Sequence, residues 1–270
     1  MSLNMPDHSE YVVFAEQLAN YSRSMLLTAS KKVPKITIKS DSSYVTETDK
    51  AVEQKLREEI QNKFPDHGII GEEFEDVNRN SDFVWILDPI DGTAAFVAGI
   101  PVYGTLIALA WKGMPFIGVI DHPLTDDRWV GVSNRSSFKN GIPITTRSCN
   151  DIKKAYVTCS NPDFMSENQL IQFKKLRDRV AYVQYGASCF AYGTLASGRS
   201  DFAVDAGLEA FDIFACAAVI QGAGGIVTNW TGDNLTFDMD GTVIAAGDKN
   251  QIKRVLELLN TANTSNESKG

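Results

Sequence analysis

Apolar positions recur along the chain at two different spacings, which predicts a mixture of helices and strands. From Ser9 to Ala29 they follow roughly helical spacing. The segment Thr46-Glu-Thr-Asp49 resembles a capping box and opens a second helix that runs through Phe64. Further helices are predicted over 166–178, 188–197, 212–222 and 248–260.

Short apolar runs bounded by Gly, Pro and Asp predict strands. The run 83–88 is followed by Pro89, which has no N–H and is expected to end the hydrogen-bond ladder. Asn140-Gly141 predicts a turn. The other predicted strands are 33–39, 68–71, 104–111, 116–121, 127–132, 155–159, 201–205, 225–229 and 242–246.

The order of these elements is irregular, which favours an α+β fold in layers, or an αβαβα sandwich, over a regular doubly wound sheet. With 270 residues, 43% of them hydrophobic, the chain can bury a large core. No repeat or low-complexity linker divides it, so we predict a single domain of two packed halves, approximately 7–150 and 151–262. Residues 1–6 are expected to be a loose start, and 261–270 a frayed polar tail.

Composition narrows the possible partners. The net charge of −8 and the pI of about 5.0 argue against a general nucleic-acid binder, which needs a basic surface, and are compatible with a cation site. No signal-peptide pattern and no apolar run near the roughly 20 residues of a membrane span is visible, so we expect a cytoplasmic protein without a membrane partner. Four cysteines lack C-x-x-C spacing and are predicted to be buried, unreactive thiols.

The most informative stretch runs from Trp85 to Thr93. An apolar strand delivers Asp88, and Asp91-Gly92-Thr93 turns toward a short helix. Two acids three residues apart at such a turn can face one point, where a divalent cation would compensate their repulsion. The N–H groups after Gly92 would form an anion site at a helix N-terminus. The turn therefore suggests phosphoryl transfer, although an Asx turn with a helix cap is a simpler explanation of these residues alone.

Two further acids stand in comparable places. Glu72 follows the predicted strand at 68–71, and Asp212 falls in the first turn of the helix predicted from 212. Helix capping alone would account for Asp212, but it does not account for all three places jointly.

These stretches resemble the three signatures of the inositol monophosphatase family of lithium-sensitive, Mg²⁺-dependent phosphatases. Gly71-Glu72-Glu73, Asp88-Pro-Ile-Asp91-Gly-Thr93 and Phe211-Asp212-x-x-x-Cys-Ala-Ala carry the resemblance in order over nearly the whole chain. It extends to 45–49 and 222–225 and implies a five-layered αβαβα sandwich, commonly a homodimer. Phe211 stands where Trp is common.

The resemblance also implies a binuclear metal site with two or three Mg²⁺ ions. Glu72, Asp88 and the carbonyl of Ile90 would bind the first ion. Asp88, Asp91 and Asp212 would bind the second. Such pairs of ions activate the attacking water and neutralise the departing alkoxide.

The resemblance assigns catalytic roles to Thr93, Asp49 and Glu72 around the attacking water. Gly92, Thr93 and Ala94 would line the phosphate position. The substrate wall would come from Gly186, Ala187, Ser188 and Asp205, although Ser188 alone could be a helix cap and Asp205 alone a surface acid.

Within the family, 92–131 and 185–198 look closer to bacterial histidinol-phosphate phosphatases than to animal inositol phosphatases. Three positions depart from that subgroup: Ala94 replaces Arg, Ser188 replaces Asp and Asp205 replaces Glu. The missing acid at 188 weakens the case for an amine-bearing substrate, because a buried amine needs an anionic partner.

The leading hypothesis is Mg²⁺-dependent hydrolysis of a small phosphate monoester, either histidinol phosphate or inositol monophosphate. One alternative is a non-catalytic dimeric binding or regulatory protein of the same fold. Another is a nucleotide or sugar bisphosphate phosphatase, which should carry a basic pocket for the second phosphate. No such pocket is visible near 185–210.

Overall fold

The structure is a computed structural model that describes residues 6–38 and 44–260. Within these residues seven α-helices and fourteen strands are present. The helices are α1 (Ser9–Ala29), α2 (Glu47–Lys63), α3 (Thr93–Ala98), α4 (Glu167–Arg177), α5 (Ser188–Ala196), α6 (Ala210–Gly222) and α7 (Ile252–Asn260). The strands are β1 (Ile36–Ile38), β2 (Tyr44–Thr46), β3 (Gly68–Gly71), β4 (Phe83–Asp91), β5 (Gly104–Trp111), β6 (Met114–His122), β7 (Asp127–Val132), β8 (Ser136–Lys139), β9 (Ile142–Ile144), β10 (Tyr156–Cys159), β11 (Tyr182–Tyr185), β12 (Phe202–Asp205), β13 (Ile226–Thr228) and β14 (Val243–Ala246).

Two large sheets organise the described chain. The first holds seven strands in the order β3-β4-β5-β6-β7-β8-β9, and every pairing except β3 with β4 is antiparallel. The second holds five strands in the order β11-β10-β12-β14-β13. The first sheet is built from residues 68–144 and the second from 156–246; the division of the chain into two packed halves stays a prediction.

Helices cover both faces of both sheets. Strand β4 shows why its sequence is continuously apolar: Val84 and Ile86 face one core and Trp85 and Leu87 face another. Helices α1 and α2 cover the outer face of the seven-stranded sheet, while α5 and α6 fill the space between the sheets. Helices α4 and α7 cover the far face of the five-stranded sheet. The order of layers is therefore αβαβα, as the sequence predicted.

Helix α6 lies unusually close to the seven-stranded sheet. A Cβ added to Gly118 in β6 would fall 2.1 Å from the carbonyl oxygen of Ala215, and one added to Gly131 in β7 would fall 2.5 Å from Cα of Val219. Both distances are shorter than contact allows, so only glycine fits at these two positions. The helix that carries Asp212 is thereby held against the sheet.

Most predicted elements are confirmed, with shifted ends. The predicted helix at 248–260 begins only at Ile252, after a 3₁₀ turn that Asp248 caps. Strand β1 is shorter than the predicted 33–39, since Pro34 has no N–H for a ladder; Lys39 lies outside the described residues, as do 1–5 of the expected loose start and the expected tail at 261–270. Strands β2, β8, β9 and β11 were not predicted.

Pro89 does not end its strand, contrary to the prediction. Pairing of β4 with β5 is interrupted after Asp88 and resumes where Asp91 pairs with Gly104. The carbonyl of Pro89 instead accepts a hydrogen bond from the hydroxyl of Thr105. The interruption works as a bulge, which re-aims side chains near a site. Among the described helices, none is long and apolar enough to cross a membrane.

Candidate metal and phosphate site

The bulge in β4 sets the position of Asp88. Its carboxylate is 1% exposed, and Oδ1 accepts a hydrogen bond of 3.0 Å from the N–H of Ile90. This contact is the Asx turn that sequence analysis offered as the simpler explanation of the motif. That explanation is correct for the local conformation of Asp88. The turn engages only one of the two carboxylate oxygens of Asp88.

Gly92 makes the turn from β4 into α3. It has φ of +81°, in the left-handed region, and is the N-cap of the helix that begins at Thr93. A Cβ at this position would lie 2.9 Å from Oγ of Ser188, so the conformation requires glycine, and a larger residue would make the Ser188 hydroxyl move aside. The first N–H groups of α3 have no partner within the helix and are free to bind an anion.

Thr93 and Asp49 meet as the resemblance implied. The Thr93 hydroxyl has two acceptors within reach, Oδ1 of Asp49 at 3.3 Å and the carbonyl oxygen of Ile90 at 3.0 Å. Asp49 is fully buried, and its Oδ2 accepts from the N–H and the hydroxyl of Thr46. The predicted capping box is confirmed, and burial raises the pKa of Asp49 while these donors lower it.

Asp91 is held by the N-terminus of α5. Its Oδ2 accepts a hydrogen bond of 2.6 Å from the N–H of Cys189. The three residues before Cys189 all have positive φ: Gly186 at 84°, Ala187 at 79° and Ser188 at 44°. Left-handed alanine and serine are strained, and such strain is found where the surrounding structure fixes a backbone direction. Here the strained turn precedes Cys189, whose N–H points at the carboxylate of Asp91.

Asp212 is held in a similar way by its own helix. It lies in the first turn of α6, and its Oδ2 accepts a hydrogen bond of 2.7 Å from the N–H of Glu209. The capping explanation for Asp212 is therefore correct. It does not compete with a metal role, because one oxygen of the carboxylate is left over.

The three carboxylates converge. One ligand atom from each of Asp88, Asp91 and Asp212 can be chosen so that all lie within 4.8 Å of one another. Burial first, and then the neighbouring carboxylates, raise the pKa of Asp88 and Asp212 well above the usual range. Burial also raises the pKa of Asp91, against the lowering effect of Cys189. Acids packed this way need protons or a cation, and their hard oxygen atoms fit Mg²⁺.

Glu72 joins this cluster from β3. Its N–H donates to the carbonyl of Leu87 in the adjacent strand, and both its charge and a side-chain hydrogen bond raise the pKa of Asp88. The structure therefore brings all four predicted acidic ligands together, while the contact seen for the carbonyl of Ile90 is with the hydroxyl of Thr93. Their roles as ligands stay predictions.

A buried ion pair that the sequence reasoning missed supports Glu72. Glu53 in α2 is fully buried; its Oε1 accepts from Nε of Arg57 and its Oε2 from the N–H of Glu73, each at 2.8 Å. Arg57 in turn donates to the carbonyls of Phe74 and Glu75. The signal was present, since Glu and Arg four residues apart on a helix can pair.

The predicted substrate wall is only partly assembled. Ser188 lies beside Gly92, and it is the first residue of α5 without capping the helix. Ala94 is exposed on α3, while Gly186 and Ala187 form the half-buried left-handed turn before α5. Their contact with a substrate stays a prediction.

Asp205 is not a surface acid, contrary to the alternative considered for it. It is 3% exposed, its Oδ1 accepts from the N–H of Ser160 at 2.6 Å, and its Oδ2 accepts from the hydroxyl of Tyr192 at 2.6 Å. Burial raises its pKa and these donors lower it. Both oxygens are engaged within the protein, so a contact between Asp205 and a substrate stays a prediction.

The cysteines are buried and free, as expected. Cys189 also contributes its Sγ, which lies 3.2 Å from Nε2 of His122 behind the cluster. Burial raises the pKa of the Cys189 thiol and lowers the pKa of His122 to about 4, so both groups are neutral at pH 7. The burial of Cys189 was predicted, but its contact with His122 was not, because the two residues are distant in sequence.

Comparison with known proteins agrees with this geometry. The model of the inositol monophosphatase family matches residues 7–264. The chain is 38% identical over 258 residues to a bifunctional phosphatase named IMPL2 of Arabidopsis thaliana, covering 92% of this chain and 75% of the relative. It is 31% identical over 210 residues to a histidinol-phosphatase of Chlorobaculum parvum, covering 77% of this chain and 80% of that protein.

A solved structure shows the same fold. An inositol monophosphatase from Zymomonas mobilis superposes with a TM-score of 0.85 at 34% sequence identity, covering 94% of this chain and 99% of the other. The family match spans the whole described fold and every acid of the cluster. The chain therefore belongs to the inositol monophosphatase family.

Proposed function

We propose that this protein hydrolyses a small-molecule phosphate monoester, with bound Mg²⁺ as the cofactor. The observation that carries the proposal is the buried cluster of Asp88, Asp91 and Asp212 next to the N-terminus of α3. A cation site and an anion site in contact are what phosphoryl transfer requires, because its catalysis consists mainly of positioning and charge stabilisation. Family membership and the names of its phosphatase relatives support the same reaction.

The chain offers ligands for two ions, and a third would need water or substrate ligands. Glu72, Asp88 and the carbonyl of Ile90 would hold one Mg²⁺. Asp88, Asp91 and Asp212 would hold the second. When bound, the ions would activate a water for attack and neutralise charge on the leaving oxygen.

The remaining residues position the reactants. The hydroxyl of Thr93 can donate to Asp49 or to Ile90, and it can in turn accept a hydrogen bond from a water beside the cluster. Asp49 orients that hydroxyl and can take up its proton, which the raised pKa favours. The N–H groups of Gly92 and Thr93 would hold the phosphate oxygens, with Glu72 also touching the water.

The substrate is proposed to be histidinol phosphate in preference to inositol monophosphate. The name of one relative supports this order, since it is a histidinol-phosphatase. A bisphosphate substrate is disfavoured because a second phosphate needs basic side chains, and neither α5 nor the stretch 200–222 contains Lys or Arg, although Arg199 and Lys139 line a cavity beside α5. We further propose a cytoplasmic homodimer that acts on small molecules and not on nucleic acids or membranes.

The non-catalytic alternative is disfavoured by the complete set of acids and by Thr93. Turnover of p-nitrophenyl phosphate, measured with Mg²⁺ and with EDTA, distinguishes an enzyme from a non-catalytic binding protein. Mg²⁺-dependent release of phosphate supports the enzyme; no release under either condition supports a binding protein. Side-by-side kcat/KM values for histidinol phosphate and myo-inositol 1-phosphate then decide the substrate.

A further inference from the structure

A cavity of about 700 Å³ lies beside α5, outside the candidate metal cluster. Strands β7, β8 and β9 of the seven-stranded sheet and β10 and β11 of the five-stranded sheet contribute to its wall together with α5. Among the described residues that line it there is no member of the acidic cluster and no residue of α3. Its volume falls within the usual range of small-molecule sites, about 300–1,000 Å³, so it can hold a ligand of its own.

Aromatic rings from three different elements form part of the wall. Trp129 of β7 is fully buried, and its indole N–H donates a hydrogen bond of 2.9 Å to the hydroxyl of Ser197. The ring of Phe190 in α5 packs edge-on against Trp129, with 5.4 Å between the ring centroids. Tyr156 of β10 lines the same cavity. Rings held in this way favour a ligand with a flat, aromatic body.

Two basic side chains line the same cavity, and only one of them has an anionic partner. Lys139 forms an ion pair with Asp127, with 2.8 Å between Nζ and Oδ1. Arg199 takes part in none of the ion pairs formed among the described residues. Arg199 is exposed, which places its charge where the cavity meets solvent. One uncompensated guanidinium favours a ligand with one negative charge, and a carboxylate matches its planar fork of donors.

The hydroxyl of Ser200 is an independent sign of a polar ligand. Ser200 is 1% exposed and lines the cavity, yet its Oγ has no hydrogen-bond partner within the described part of the chain. Buried hydroxyl groups are nearly always hydrogen-bonded, because leaving one unpaired is unfavourable. Ser200 follows Arg199 directly in the chain, so a cation and a hydrogen-bond donor stand next to each other in the wall. A carboxylate has acceptor sites for both.

We propose that this cavity is a binding site for a small aromatic carboxylate. The ring would lie among Trp129, Tyr156 and Phe190, and the carboxylate would accept hydrogen bonds from Arg199 and Ser200. A phosphate dianion fits less well, since the charge of the second cation in the wall is already compensated by an aspartate. A cationic ligand would meet a charge of its own sign. The inference stands apart from the proposed phosphatase function, because it involves none of the residues to which that function assigns a role.

The test compares two ligands that differ only in charge, 2-naphthoate and 2-naphthamide, by calorimetry. Mg²⁺ and saturating inorganic phosphate are present throughout, so that neither ligand is drawn to the acidic cluster. We expect the wild-type protein to bind the carboxylate about fivefold more tightly than the amide. Arg199→Gln should abolish this preference and leave the affinity for the amide unchanged. Arg254→Gln is the matched control, because it removes an exposed guanidinium on α7, and it should keep the preference.

A second variant tests the buried hydroxyl. Ser200→Ala should weaken binding of 2-naphthoate, and without ligand its melting temperature should be equal to or above that of the wild-type protein, since a buried group without a partner is removed. The matched control is Ser133→Ala. Ser133 is 2% exposed, and its hydroxyl donates to the carbonyl of Pro115 at 2.8 Å. This control should lower the melting temperature and leave the binding of 2-naphthoate unchanged.

Four results would overturn the inference. The first is equal affinity of the wild-type protein for the two ligands, and the second is no binding of either. The third is an equal loss of preference in Arg199→Gln and Arg254→Gln, which would show a general effect of net charge. The fourth concerns Ile142, which lines the cavity and is 68% exposed. If Ile142→Glu turns a dimer into a monomer in sedimentation, and 2-naphthoate does not bind the wild-type dimer, a second copy of the chain covers the cavity.

Discussion

The backbone N–H of Cys189 donates a hydrogen bond to Oδ2 of Asp91, a residue 98 positions earlier in the chain. The bond joins the end of β4 to the start of α5, the helix between the two sheets. Because the donor is a backbone group at a helix N-terminus, it favours the charged form of the carboxylate whatever side chain stands at 189. One oxygen of Asp91 is thereby fixed, and the other is left for a ligand.

Asp91→Asn should abolish turnover while leaving the fold intact. The amide can still accept from Cys189 but brings no negative charge to the cluster, so we expect kcat/KM to fall on the order of 10³-fold. Mg²⁺ affinity, measured by calorimetry, should fall as well. The melting temperature without metal should be equal or higher, since one repelling charge is gone.

Asp178→Asn serves as the control for this variant, because it makes the same chemical change on an exposed helix end. It should retain wild-type turnover. Near-normal activity of Asp91→Asn would remove Asp91 from the metal site.

Gly92→Ala should lower activity more than its effect on stability alone explains. The left-handed conformation costs an alanine roughly 1 kcal/mol, and the new Cβ would also press on Ser188. Gly99→Ala is the matched control: Gly99 ends the same helix with φ of +72°, and a Cβ there meets nothing within 4 Å.

Both variants should lose similar free energy of unfolding in urea. Only Gly92→Ala should show reduced kcat/KM, because only that change presses on Ser188 at the start of α5, beside the proposed phosphate site. Equal activity in the two variants would contradict the contact between Gly92 and Ser188 as a functional one.

The stabilisation by Mg²⁺ should grow as the pH rises. The pKa values of Asp88, Asp91 and Asp212 in the folded protein are raised above the ordinary 3.8. Below pH 3.8 these groups are therefore protonated in the folded and in the unfolded protein, and they do not lower the free energy of unfolding. As the pH rises through the raised pKa values they lose their protons, and the metal-free fold is destabilised. Bound Mg²⁺ removes this repulsion, and acid competes with it.

The measurement is the difference in melting temperature between Mg²⁺ and EDTA, taken from about pH 5 to pH 8. Comparing the two at each pH removes the contribution of His122, whose lowered pKa of about 4 affects both samples alike. The double variant Asp91→Asn with Asp212→Asn should flatten the dependence. A difference that is constant or shrinks with rising pH would argue against a carboxylate metal site.

Glu53→Gln should destabilise the fold and weaken the first metal position together. Removing the charge leaves the Arg57 guanidinium without its anion in a site that is nearly closed to water, at a cost of about 3 kcal/mol. The loop with Glu72 and Glu73 loses its fixed position, so the Mg²⁺ concentration needed for half-maximal activity should increase.

Glu59→Gln is the control for this prediction, since it breaks the Lys55–Glu59 pair on the same helix. That pair is far more exposed to solvent, and its loss should cost less than about 1 kcal/mol. If the two variants behave alike, the Glu53–Arg57 pair does not support the site.

The turn from Asp88 to Thr93 was predictable because its determinants are local. A strand, an Asx turn, a left-handed glycine and a helix start follow from neighbouring residues. The capping box of Asp49 was predictable for the same reason. The five-layered arrangement followed from the resemblance and from the irregular order of elements.

What could not be predicted depends on contacts distant in sequence. Strand β11 is an exposed edge strand of four residues, too short for alternation of apolar and polar positions to be recognised. The N–H of Cys189 has no sequence signature, because any residue at that position offers one. The partners of Asp205, Ser160 and Tyr192, come from other elements of the fold, so the sequence alone left a surface acid and a substrate contact equally open.

The tight seating of α6 on Gly118 and Gly131 has a consequence for ion choice. Because α6 rests directly on the backbone of β6 and β7, it holds Asp212 close to the acids of β4 in the same sheet. Calcium prefers oxygen distances of about 2.3–2.6 Å and more ligands, against about 2.0–2.1 Å for magnesium. Carboxylates held at a fixed spacing suit one ionic radius better than another. We therefore expect Ca²⁺ to compete with Mg²⁺ for the site without supporting turnover.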